Sequence, residues 1–118
     1  METITRNSQL SIPDLRLTMH GKVISPGDPE YDASRVVFSG EIDCHPAVIV
    51  QAADTEDVVR VIALASRSGM ELAVRSGGHS AAGHSVSEGG IVLDLRNMRS
   101  LEIDAEGRTA WVETGMTA

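Results

Sequence analysis

The chain has 118 residues, enough for one modest domain that would bury roughly 60–70% of the surface its unfolded form exposes. Hydrophobic residues make up 42% and charged residues 23%, a mixture that excludes a disordered polypeptide, and no apolar run reaches the length of a membrane span. Ten basic against seventeen acidic residues give a net charge of −7 that is spread along the chain, which argues against nucleic acid and membrane partners; a phosphate-bearing ligand would have to be held locally, by backbone N–H groups and a few arginines.

Residues 1–20 are polar, with apolar positions at Leu10, Ile12, Leu15 and Leu17, and read as an arm or loosely docked segment ahead of a domain over 21–118. The N-terminal "METITRNSQLSIPDLRL" holds no apolar run of signal-peptide length and the single Cys44 has no internal partner, so a cytoplasmic location is expected. Pro26-Gly27 marks a turn. Asp28 as N-cap and Pro29 at the first helical position predict a short helix to about Arg35. Residues 46–51 (PAVIVQ) are a β-branched run suited to a strand buried on both faces.

A longer helix is predicted next, capped by Asp54 or Thr55. Glu56 and Asp57 complement its dipole, Val58, Ile62 and Ala65 share a stripe, Arg67 favours the last turn and Gly69 supplies a left-handed cap. Residues 70–75 (MELAVR) are a second strand, so that strand, helix and strand predict a crossover between parallel neighbours and place the loop after Arg75 at the carboxyl edge of a sheet. Residues 90–95 (GIVLDL) are a third strand. "SLEID" and "TAWVET" predict a hairpin, with Leu101 and Ile103 on one face and Gly107 in the turn. The expected class is α+β: a small, partly parallel sheet with flanking helices, followed by the start of an antiparallel part.

The densest run of glycine, serine and histidine, "GGHSAAGHS", falls in the long loop between the second and third strands. Gly78, Gly83 and Ser85 match the spacing of a nucleoside-triphosphate loop, but His84 stands where that mechanism needs a Lys, and an imidazole is mostly uncharged at neutral pH. A metal site from His79, His84, His45 and Cys44 lacks any recognised ligand spacing. Cys44 reads better as a small, partly buried side chain. Backbone chemistry suits the loop better. Consecutive Gly, Gly and Ser at the end of a strand turn several N–H groups toward one anion, and Arg75 can add charge, which makes a nest for a pyrophosphate with His79 within reach of whatever it carries.

"GKVISPGDPEYDASRVVFSGEIDCHPAVIVQAADTEDVV" and "LAVRSGGHSAAGHSVSEGGIVLDLRNMRSLEID" together resemble the beginning of the FAD-binding domain of the berberine-bridge-enzyme-like FAD-linked oxidases, in the vanillyl-alcohol-oxidase (PCMH-type) superfamily. The resemblance runs from about Gly21 onward, and Val74-Arg75-Ser76-Gly77-Gly78-His79-Ser80 is its most specific part. It implies FAD as cofactor, with Ser76, Gly77, Gly78 and Ser80 cradling the pyrophosphate, Gly83 and Ser85 continuing the cradle, His84 making a polar contact, Met98 near the cofactor, and His79 bonded covalently to the 8α-methyl of the flavin. The reaction implied is oxidation of an alcohol, sugar or related small-molecule substrate by hydride transfer to flavin N5. Members of the family are much longer, and their catalytic base, substrate domain and the cysteine of a second flavin link lie downstream of the part matched. The rival expectation is a catalytically inactive nucleotide-binding or assembly module that carries no flavin and self-associates through an uncovered strand edge.

Overall fold

The computed structural model describes residues 10–36, 43–76 and 87–115. A four-stranded sheet carries the fold, with β1 (Lys22–Ile24), β2 (Val48–Gln51), β3 (Leu72–Arg75) and β4 (Ile91–Asp94) in the order β1-β2-β4-β3. β1 runs antiparallel to β2, while β2, β4 and β3 are parallel. The strand over 46–51 is buried on both faces as its β-branched run demands, with Val48, Ile49 and Val50 all at 0% exposure.

β2 and β3 are parallel, as the strand, helix, strand order predicts, but they are not neighbours. β4 lies between them. β2 and β4, each buried at all four residues, take the two interior positions, and the crossover from β2 to β3 skips over β4.

The two faces of the sheet are covered unequally. Val48, Val50, Ile91 and Leu93 belong to the larger core, together with Val61, Leu64 and Ala65 of α3 (Thr55–Ser68) and with Leu15 of α1 (Ile12–Thr18) and the following Met19. Ile24, Ile49, Ala73 and Val92 point the other way, onto Tyr31 of α2 (Tyr31–Arg35), whose hydroxyl donates to the Pro46 carbonyl at 2.7 Å.

α1 corrects the expectation of a loose arm. Ser11 caps it by accepting the Asp14 N–H at 3.3 Å, Pro13 sits in its first turn, and Leu15 and Met19 are core residues. α2 starts later than its sequence suggests. The Asp28 carboxylate turns back to accept the Ser25 N–H at 2.8 Å and pairs with Arg16 at 2.7 Å, so it closes the preceding turn and the helix begins at Tyr31 with no side-chain cap.

α3 has the expected ends: Asp54 accepts the Asp57 N–H at 3.0 Å, and Gly69 is left-handed at φ 70°. Its buried stripe is Asp57, Val61, Leu64, Ala65 and Ser68, which leaves Val58 at the border and Ile62 half exposed. Asp57 explains the rotation. Its carboxylate accepts the N–H groups of His20 at 2.9 Å, Gly21 at 2.8 Å and Ala53 at 3.0 Å, which fixes that side of the helix against the sheet.

The last two strands, β5 (Leu101–Asp104) and β6 (Thr109–Val112), form the expected hairpin, with Leu101 opposite Val112 and Asp104 opposite Thr109. Leu101 and Ile103 share a face, but every residue of both strands is exposed. The hairpin is tied to the sheet through the segment after β6. Gly115 donates to the Met98 carbonyl at 2.9 Å and packs so closely that a Cβ there would lie 1.6 Å from the Leu95 carbonyl oxygen.

Candidate functional site

The parallel register brings residues together that are far apart in the chain. Gln51 pairs with Asp94, and Asp94 with Arg75, at the carboxyl ends of β2, β4 and β3. Period-2 alternation puts this row on the same face as Ile49, Val92 and Ala73, so an apolar row ends in a polar one on the α2 side. All three are buried: Gln51 at 9%, Asp94 at 0% and Arg75 at 9% exposure.

Arg75 donates from Nη1 to the Ser34 carbonyl at 2.6 Å, so it ties the C-terminal turn of α2 to the sheet edge. Its Nε finds no acceptor among the described residues. Burial lowers the Arg75 pKa first, the neighbouring Arg96 guanidinium lowers it further, and Asp94 opposes both. Asp94 is already committed, accepting the Arg96 backbone N–H at 3.0 Å and Arg96 Nε at 2.7 Å. Arg96 Nη2 also reaches the Ser34 carbonyl at 3.4 Å.

Ser76 follows directly, its hydroxyl donating to the Thr114 carbonyl. The returning end of the loop is pinned too: Gly89 N–H donates to the His45 carbonyl at 2.9 Å, and Ile91 N–H to the Glu71 carbonyl at 2.8 Å. Gly77, Gly78, His79, Ser80, Gly83, His84 and Ser85 lie outside the described residues. Met98, expected near the cofactor, holds the edge through its backbone, donating to the Leu95 carbonyl at 2.9 Å, while its side chain is part of the larger apolar core.

The described part of the site fits a phosphate-bearing group. Two guanidiniums face one carboxylate at a sheet's carboxyl edge, and one of them keeps a buried N–H without an acceptor among the described residues. His45 is exposed and Cys44 half-buried. His20, Asp54 and Asp57 do converge, but Asp57 spends both oxygens on three backbone amides, so this cluster is a structural joint.

Arg75 and Ser76, expected from the sequence at the cofactor site, both lie at this edge, beside Asp94, Arg96, Gln51 and Ser34, which the sequence did not single out. The available signal was Asp94 itself, a carboxylate inside the otherwise apolar GIVLDL, where a buried charge needs a partner nearby.

The family model described as "FAD binding domain" matches residues 46–118. The chain belongs to this FAD-binding domain family, within the berberine-bridge-enzyme-like FAD-linked oxidases, of which it represents the N-terminal FAD-binding part. It is 37% identical over 110 residues to (R)-6-hydroxynicotine oxidase of Paenarthrobacter nicotinovorans, covering 93% of this chain and 23% of that protein. It is 38% identical over 74 residues to berberine bridge enzyme-like 18 of Arabidopsis thaliana, covering 61% of this chain and 14% of the relative. The crystal structure of 6-hydroxy-D-nicotine oxidase from Arthrobacter nicotinovorans superposes with a TM-score of 0.78 at 38% identity, over 81% of this chain and 21% of that one. The chain thus spans less than a quarter of the length of these proteins.

Proposed function

We propose that this chain is the FAD-carrying part of an oxidase, with the pyrophosphate cradled by Ser76, Gly77, Gly78 and Ser80, the cradle continued by Gly83 and Ser85, and His79 as the covalent attachment point. His84 serves as a polar contact and Met98 supports the edge from the core side. The observation that carries the reading is the polar row at the sheet's carboxyl edge: Arg75, buried and holding Ser34, stands at the foot of the glycine-rich loop with positive charge to spare.

Each part follows from simple chemistry. Arg75 emerges from a strand whose ladder fixes its direction, so its charge is pre-oriented and little side-chain freedom is lost when an anion binds. Gly77 and Gly78 have no Cβ to keep a phosphate away from backbone N–H groups. Bound there, FAD would supply a hydride acceptor for oxidation of a small alcohol, sugar or amine. The tether through His79 would keep the cofactor in an open site.

The test is a His79→Ala variant. The parent should retain flavin through denaturation and the variant should release it; flavin that stays bound to denatured His79→Ala would move the attachment to His84. A second reading, an assembly module without flavin, draws on the hairpin, whose eight strand residues are all exposed and whose Trp111 is 82% exposed. That reading expects colourless protein whose sedimentation coefficient rises with concentration.

A further inference from the structure

We propose that Arg96 is a second anion-binding residue of the same site, a guanidinium held in place by Asp94 that takes a share of the pyrophosphate charge beside Arg75. This rests on the FAD reading above. Arg96 lies outside the glycine-rich motif, and what identifies it is its placement: it reaches the same Ser34 carbonyl as Arg75, at 3.4 Å against 2.6 Å.

The charge balance is the main argument. Asp94 is fully buried and accepts both the backbone N–H and the Nε of Arg96, at 3.0 and 2.7 Å. Arg75 stands in register beside the same carboxylate but bonds to the Ser34 carbonyl instead of to Asp94. The carboxylates of Asp32 and Asp43 are engaged by Arg35. Among the described residues, two arginines and one carboxylate meet at this sheet edge, in a chain whose net charge is −7. An uncompensated cation in such surroundings is costly unless an anion joins it.

Geometry points the same way. The Nε bond to Asp94 holds one side of the Arg96 guanidinium, the backbone N–H bond to the same carboxylate fixes the residue itself, and 37% of the side chain stays exposed, so the guanidinium is both anchored and reachable. A fork fixed in this way loses little freedom on meeting a phosphate. The competing role is a tether only, with Arg96 doing no more than holding the α2 terminus.

The experiment separates the two. In a His79→Ala background, where flavin exchanges, FAD and riboflavin are titrated by flavin fluorescence at several salt concentrations. Arg96→Gln should weaken FAD about tenfold, leave riboflavin unchanged and flatten the salt dependence of the FAD Kd. Equal weakening of FAD and riboflavin, or no change for FAD, overturns the proposal. Should Arg96→Gln fail to fold, Arg96→Lys carries the test, since it keeps the charge and the backbone bond to Asp94 but loses the Nε bond and the planar fork: weaker FAD with unchanged riboflavin supports the role, and parallel loss or no change for FAD overturns it. If the chain with both His79 and Arg96 intact binds neither FAD nor inorganic pyrophosphate, the FAD reading itself fails and the role of Arg96 falls with it.

Discussion

Asp57 gathers three backbone amides from two separate segments, residues 20–21 and residue 53, under the first turn of α3. Burial raises its pKa, but the amides of Ala53, His20 and Gly21 outweigh this and hold it below the usual carboxylate value. Asp57→Ala would strand three donors, and a loss of about 3 kcal/mol is expected in urea unfolding. A change under 1 kcal/mol would contradict this role. In the sequence Asp57 reads as one more acid complementing a helix dipole, because composition carries no information on which side of a helix is buried. Arg75 stands out in the sequence through its motif; Arg96 does not, because its place beside Arg75 depends on a register that brings Asp94 alongside β3.

His20 adds a pH dependence. Its Nδ1 lies 2.5 Å from Asp54 Oδ2, and the hydrogen bond and charge of Asp54 raise its pKa above the ordinary 6.5. A raised folded pKa gives stability that is full below about 6.5 and lost as pH rises through the folded value. Asp54, lowered first by its hydrogen bond with His20, contributes above its ordinary 3.8 and loses that contribution as pH falls through its folded value. Both side chains are about half exposed, so the effect is small. The difference in urea midpoint between the parent and His20→Gln should be largest near pH 6 and shrink toward pH 9; parallel curves would remove the pair from the account.

At the scale of elements, α3 and the hairpin show what local pattern can and cannot reveal. The caps of α3 were legible because they are chemical: Asp54 accepts an amide and Gly69 adopts φ 70°. Gly69→Ala should cost about 1 kcal/mol, read as a lower melting temperature with an unchanged far-UV spectrum. The stripe of α3 was misread by one position, with Ile62 exposed where Val61 is buried, because Asp57 and not the apolar residues sets the rotation. Strand order was likewise hidden. β4 lies between β2 and β3, and adjacency in the chain says nothing of that. The hairpin was legible from its two runs and its turn. Trp111, the only tryptophan, is 82% exposed there, so its emission should resemble that of free tryptophan and be readily quenched by iodide; blue-shifted, protected emission would mean that the face is covered.

For the whole molecule, the chain belongs to the FAD-binding domain family, and its sheet ends in a buried polar row beside a loop whose described ends are both hydrogen-bonded. No helix among the described residues is long and apolar enough to cross a membrane. The proposed pyrophosphate site is compatible with the net charge of −7, because arginines act on an anion at short range while the distant acids are screened. The most direct measurement is the intact mass of the denatured chain after expression in a flavin-sufficient host, with the loop peptide mapped. The account predicts an added mass equal to FAD, located on His79. An unmodified mass, from a native sample that also carries no flavin, would contradict it.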